Sequence, residues 1–148
     1  MLMWTQEIIV SDPECQIIVS IVDVVEPICM VVRSFISTVQ SFNHFVNIRV
    51  QGAMRSYAAG FSGNNKLVLR KNYYGYTTLC ETDFEWKMDE EYKISLTADG
   101  LTISVSVNDK EYLNFTDSDL PLLNGCAGIS VEKGSHCLYR DIAITGRE

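Results

Sequence analysis

The stretch "RVQGAMRSYAAGF" gathers two arginines, an amide and a phenol: Arg49, Gln51, Arg55 and Tyr57. With a strand on either side of Gly52, the two-residue period opposes Asn47, Arg49 and Gln51 to Val46, Ile48 and Val50. The apolar triplet must face a core, so Arg49 and Gln51 are expected on an outer face. An antiparallel neighbour brings Arg55 and Tyr57 beside them. An arginine fork, an amide and a ring suit vicinal hydroxyls or a carboxylate, with the ring stacking on the apolar face of a sugar. The same residues also suit a solvated face of cross-strand Arg to Glu/Asp pairs. A second group, "RKNYYGYTTL", sets Tyr73, Tyr74 and Tyr76 around Gly75 in an expected exposed loop with Lys71 and Asn72. Tyrosines in loops offer rigid amphipathic area to sugars or protein partners; alternatively these rings cover one end of the fold. The ligand-binding candidates are therefore Arg49, Gln51, Arg55, Tyr57, Tyr73, Tyr74 and Tyr76.

Other chemistry is thinner. Asp117 and Asp119, with Asn114 nearby, supply oxygens for Ca²⁺, but two carboxylates fall short of the six to eight ligands that ion takes, and an Asx-turn before Pro121 is the expected role. His44 and His136 have no Ser or Cys partner at an informative spacing, so nucleophilic catalysis has no support. The five cysteines, Cys15, Cys29, Cys80, Cys126 and Cys137, show no CxxC and no metal-ligand spacing. Reduced, mostly buried thiols in a cytoplasmic protein are expected, with no metal and no cofactor. A net charge of −7, from 12 Lys+Arg against 19 Asp+Glu, argues against a nucleic-acid partner. The most apolar run, "CQIIVSIVDVVEPICMVVRSF", is interrupted by Asp23, Glu26, Pro27 and Arg33, which argues against a membrane span.

The elements that position these residues read as short strands. Tyr92, Ile94, Leu96 and Ala98 alternate with polar residues, "DG" turns the chain at Asp99-Gly100, and Leu101, Ile103, Val105 and Val107 alternate back. "YLNF", "CAGISVE" and "CLYRDIAIT" continue the pattern, as do "EIIV", "QIIVSIVDVV", "HFVNIRVQ", "RSYAAGF" and "KLVLRKN" upstream. Only Ile28 to Val46 is ambiguous: its apolar residues also fit a 3.6-residue period behind Pro27, against a β-branched composition that favours a strand. Eleven or twelve strands without a βαβ rhythm predict one all-β domain over residues 1–148, a two-sheet antiparallel β-sandwich of jelly-roll type.

The pattern "EYKISLTADGLTISVSVNDKEYLNF…CAGISVE" resembles the closing strands of concanavalin A-like lectin/glucanase sandwiches, with Asn108-Asp109-Lys110 where that family usually has Asp-Gly. "RVQGAMRSYAAGF", "DFEW" and "EYKISLTADG" together resemble the C-terminal accessory domain of bacterial ADP-ribosylglycohydrolase-family proteins. That resemblance implies a non-catalytic module, binding carbohydrate or an ADP-ribose-like ligand, or docking on a catalytic partner domain. The alternative comes from "ETDFEW": Glu81, Asp83 and Glu85 resemble the E-x-D-x-E strand of family-16-like retaining glucanases, which implies nucleophile, assisting acid and acid/base in that order. Retention needs the outer carboxyl groups about 5–5.5 Å apart although their Cα atoms lie roughly 13 Å apart on a straight strand. Only a concave strand reconciles the two distances, so the enzyme reading depends on a cleft over these acids.

Overall fold

The computed structural model describes residues 2–4, 8–11, 17–22, 29–39, 44–132 and 136–147. Among them are thirteen strands and no helix: β1 (Leu2–Trp4), β2 (Ile8–Ser11), β3 (Ile17–Val22), β4 (Cys29–Val39), β5 (His44–Val50), β6 (Arg55–Ser62), β7 (Lys66–Tyr73), β8 (Tyr76–Asp83), β9 (Tyr92–Asp99), β10 (Thr102–Val107), β11 (Lys110–Thr116), β12 (Cys126–Val131) and β13 (His136–Arg147). They form two antiparallel sheets. One runs β1-β13-β4-β9-β10-β11, with β2 also on β13; the other runs β3-β12-β5-β6-β7-β8. The expected all-β sandwich is the observed architecture.

The described residues of the ambiguous segment are strand: β4 and the start of β5. β4 pairs with β13 on one side and β9 on the other. Its valines, isoleucine and threonine are stiff at χ1 and suit a pleated surface flanked by two partners, so pairing overrides the helical period. Residues 28 and 40–43 of that segment lie outside those described.

The core lies between the sheets, where alternation works as expected: Ile94, Leu96 and Ala98 of β9 and Ile103, Val105 and Val107 of β10 are buried. Each of these valine, leucine and isoleucine side chains contributes about 1.5–3 kcal/mol on leaving water. Phe61, Phe84, Trp86 and Tyr92 pack ring on ring at one end of the core. The hairpin turns are set by backbone geometry. Between β9 and β10 the turn residues are Gly100 and Leu101, one position later than the expected Asp99-Gly100, and Gly100 carries the positive φ of 56°. Asn108 and Asp109 join β10 to β11 with φ of 50° and 66°, the left-handed pair of a type I′ turn that asparagine and aspartate tolerate.

Cys137 is buried and Cys80 half-buried. Burial pushes the Cys137 thiol up to about 12 and raises that of Cys80. Cys15 lies outside the described residues. No helix among the described residues is long and apolar enough to cross a membrane.

Candidate functional site

Two edge strands, β8 of one sheet and β11 of the other, flank a cleft of about 390 Å³. Lys71 and Tyr73 of β7, Thr77 and Leu79 of β8 and Phe115 of β11 form its walls. Asp117, Asp119 and Leu120, in the loop after β11, close it.

Beneath the cleft lies a buried polar network. Lys71 Nζ donates to Asp117 Oδ2 at 2.7 Å and to the carbonyls of Asp119 and Leu120, which uses all three of its protons. Tyr57 Oη donates to the same Asp117 oxygen at 2.6 Å and accepts from the Leu122 N–H at 3.0 Å. Asp117 Oδ1 accepts from the Asp119 N–H, which is the Asx-turn expected before Pro121. Burial alone would raise the Asp117 carboxyl; the hydrogen bonds from Lys71, Tyr57 and the Asp119 N–H outweigh it and hold the group below the usual carboxylate range. Burial, reinforced by the bond to Asp117, pushes the Tyr57 phenol far above its ordinary value.

This network corrects the outer-face placement of Tyr57 and Arg49. Tyr57 is fully buried and shares a face with Ala59 and Phe61 in the core. Arg49 sits in left-handed backbone, φ 54°, beside an irregularity in the β5–β12 register between Cys126 and Gly128. The strict alternation of β5 therefore ends at Ile48, and Arg49, only 2% exposed, donates from Nη1 to the carbonyls of Gly100 at 2.7 Å and Leu122 at 2.8 Å. It ties the end of β5 to the β9–β10 turn and to the 117–125 loop. Gly125 makes this approach possible: a Cβ there would lie 2.7 Å from the Val50 carbonyl oxygen. Lys71 and Asn72, expected in an exposed loop, belong to β7 and are buried.

Gln51, Arg55, Tyr73 and Tyr74 do come together, at the rim. Arg55 and Tyr73 are directly opposite in the β6–β7 register. The guanidinium carbon of Arg55 lies 5.1 Å from the Tyr73 ring centre and 5.4 Å from that of Tyr74, and the two rings stand nearly perpendicular, 5.3 Å apart. Tyr73 is 37% and Tyr74 65% exposed. Gln51 donates to the Asn124 carbonyl and side chain and accepts from Arg55 Nη1 at 3.4 Å. The β7–β8 turn, which carries both rings, is joined to the β5–β6 turn by the Tyr74 N–H donating to the Met54 carbonyl. Tyr76 departs from this group. Its ring lies against Arg70, Phe45 and Val68 on the opposite face of the sheet, where Arg70 also pairs with Glu132 at 2.6 Å.

Glu81 and Asp83 of the enzyme alternative face away from the cleft. The β7–β8 register shifts between Leu69 and Arg70, which sets Glu81 opposite Val68 and Asp83 opposite Lys66. Both acids are exposed and ion-paired to Lys66, at 3.6 and 2.8 Å; Glu85, past the end of β8, is exposed as well. The acids form a solvated edge.

Sequence reasoning missed the Lys71–Asp117 pair because its members lie 46 positions apart. A signal was present nonetheless: Leu67, Leu69 and Lys71 share one strand face, and a lysine on a core-facing row demands a buried counter-charge.

No family model and no curated protein matches this sequence. Similar solved structures exist at low identity. The carbohydrate-binding module CBM66 from Bacillus subtilis superposes with a TM-score of 0.71 at 14% identity, over 80% of this chain and 75% of that one. The galectin LEC-6 of Caenorhabditis elegans gives 0.59 at 14% identity, over 91% and 95%. A Bacillus subtilis protein of unknown function with a galectin-like fold gives 0.65 at 14% identity, over 96% and 78%. The likeness is one of fold: a two-sheet antiparallel β-sandwich. The absence of a family match leaves the likeness to ADP-ribosylglycohydrolase accessory domains without support from sequence families.

Proposed function

We propose that residues 1–148 form one non-catalytic β-sandwich module that binds carbohydrate at the cleft mouth through Tyr73, Tyr74 and Arg55, with Gln51 positioning the arginine. The observation that carries this reading is the exposed corner of two perpendicular tyrosine rings braced by a guanidinium, opening onto a cleft with polar and apolar walls. Aromatic faces take up the apolar side of a sugar ring, while phenol and guanidinium donors serve its oxygens. The sandwiches it resembles include a carbohydrate-binding module and a galectin by name, which agrees with this assignment. As an accessory module it would hold a catalytic partner domain against a glycan.

A glycan array that also carries ADP-ribose, followed by calorimetry on the best ligand, tests the reading. Tyr74→Ala is expected to weaken binding by about 1 kcal/mol or more, the worth of one stacked ring, without altering the melting temperature. Glycan binding that ignores Tyr73→Ala and Tyr74→Ala alike would move the site elsewhere. Binding of ADP-ribose alone would reassign the ligand class.

A further inference from the structure

Among the described residues, Lys66, Arg70, Lys71, Lys87 and Lys93 each hold a carboxylate within 4.0 Å, in a chain where acids outnumber bases 19 to 12. Arg55 holds none. The one hydrogen bond of the Arg55 guanidinium among those residues is the long 3.4 Å contact from Nη1 to the neutral amide of Gln51, and its Nε is buried without an acceptor. Two tyrosine rings lie against the guanidinium instead, its central carbon 5.1 and 5.4 Å from their centres. A cation held by ring faces keeps its charge and its N–H donors, so Nη1 and Nη2 are left to receive a partner. Nη2 donates to no group among the described residues.

We infer that the ligand is an acidic glycan, whose ring carboxylate is received end-on by Arg55 while the sugar stacks in the Tyr73–Tyr74 corner. The inference rests on the proposed carbohydrate site and names the class of sugar it takes. A planar carboxylate matches two parallel N–H donors of one guanidinium, a pairing that a neutral hydroxyl cannot reproduce. The acids of the cleft fix where the charge sits. Asp117 is neutralised by Lys71, whereas Asp119 is exposed and repels an anion, so the ligand's carboxylate stays at the rim beside Arg55 and its neutral part enters the cleft. A second cation nearby, Lys71, has every proton committed and adds long-range attraction only.

The test is calorimetric titration of the intact chain with galacturonate, glucuronate and sialate oligosaccharides, each beside its carboxyl-methylated counterpart, and with a sulfated oligosaccharide. At least one acid form is expected to bind tenfold or more tighter than its ester, with affinity falling as salt rises. Arg55→Gln should bring acid and ester to equal affinity, Arg55→Lys should restore only part of the preference, and Tyr74→Ala should weaken both forms in proportion. Equal binding of acid and ester by the native chain, or a preference that survives Arg55→Gln, overturns the acidic-glycan inference and leaves the carbohydrate site standing. A sulfated ligand that outcompetes every carboxylate also overturns it as stated. Binding of no sugar, acidic or neutral, overturns both readings, and binding of an acidic peptide in their place would assign the rim to a protein partner.

Discussion

Replacing Asp117 with alanine tests the buried network most directly. The carboxylate side chain is 4% exposed and that of Lys71 9%, so the ammonium left behind has little water to turn to. The variant also takes from Tyr57 its acceptor and from the Asp119 N–H its turn partner. Breaking a buried ion pair by removing one member costs about 3–5 kcal/mol, because the other charge is stranded. Lys71 keeps two backbone carbonyls, which places the expectation near the lower end, about 3 kcal/mol. Urea denaturation at pH 7 measures it as a shift in midpoint at constant m-value. The double variant Asp117→Ala/Lys71→Met, with no charge left to strand, should recover part of the loss. The pH dependence has a definite sign. The folded Asp117 pKa lies below its unfolded value of about 3.9, so its contribution is fully present above that pH and disappears as pH falls through the folded value. The gap between native chain and Asp117→Asn should therefore be flat from neutral pH down to about 4.5 and close below it. A loss under about 1 kcal/mol for Asp117→Ala, or a gap that widens in acid, would refute the claim that this pair pins the loop.

Three further outcomes follow from the same geometry. Gly60→Ala would drive a methyl group into the His44 backbone carbonyl across the β5–β6 ladder and should cost about 3 kcal/mol or more, read by thermal unfolding. Cys137, with its thiol pushed up to about 12, should resist alkylation at pH 8 until the chain unfolds, while half-buried Cys80 reacts first, as mass spectrometry with and without denaturant would show. Glu81→Gln and Asp83→Asn remove exposed partners of Lys66 and should each change stability by no more than about 0.5 kcal/mol in denaturation; a larger change would give that edge a role it does not show.

Much of the fold was legible because strand signals are local. The alternation of β9 and β10 and the Asx-turn at Asp117 lie within a few residues of their causes, whereas the type I′ turn at Asn108 and Asp109 emerged only from the structure. The site was legible only in pieces. Gln51 with Arg55, and Tyr73 with Tyr74, were recognisable as chemistry, yet their meeting depends on register. Arg49 was misplaced because its own left-handed backbone broke the two-residue period of β5. Tyr57 was misplaced against evidence already in the sequence: Ala59 and Phe61 share its parity, and a phenylalanine on that row marks the row as core. The Lys71–Asp117 pair required the two sheets to be stacked before its distance existed.

Along the paired strands β6 and β7 the character of one sheet face changes in order. Phe61, Ala59, Leu67 and Leu69 are core; Tyr57 and Lys71 come next, buried but polar; Arg55 and Tyr73 end the row at the rim. The middle step explains why the last can exist. A half-buried arginine set against two rings holds one orientation only if the turns beneath it are fixed, and those turns are fixed by the hydrogen bonds of Tyr57, Lys71, Arg49 and Gln51 to the 117–125 loop. Leu120, held at a positive φ of 50° with its carbonyl on Lys71, shows that the loop is constrained enough to bear local strain. Under the proposed function, a rim ordered before a glycan arrives would lose little side-chain entropy on binding. The polar residues of "RVQGAMRSY" thus divide by burial. Arg49 and Tyr57 hold the end of the sandwich rigid, and Arg55, steadied by Gln51, presents that rigidity to solvent.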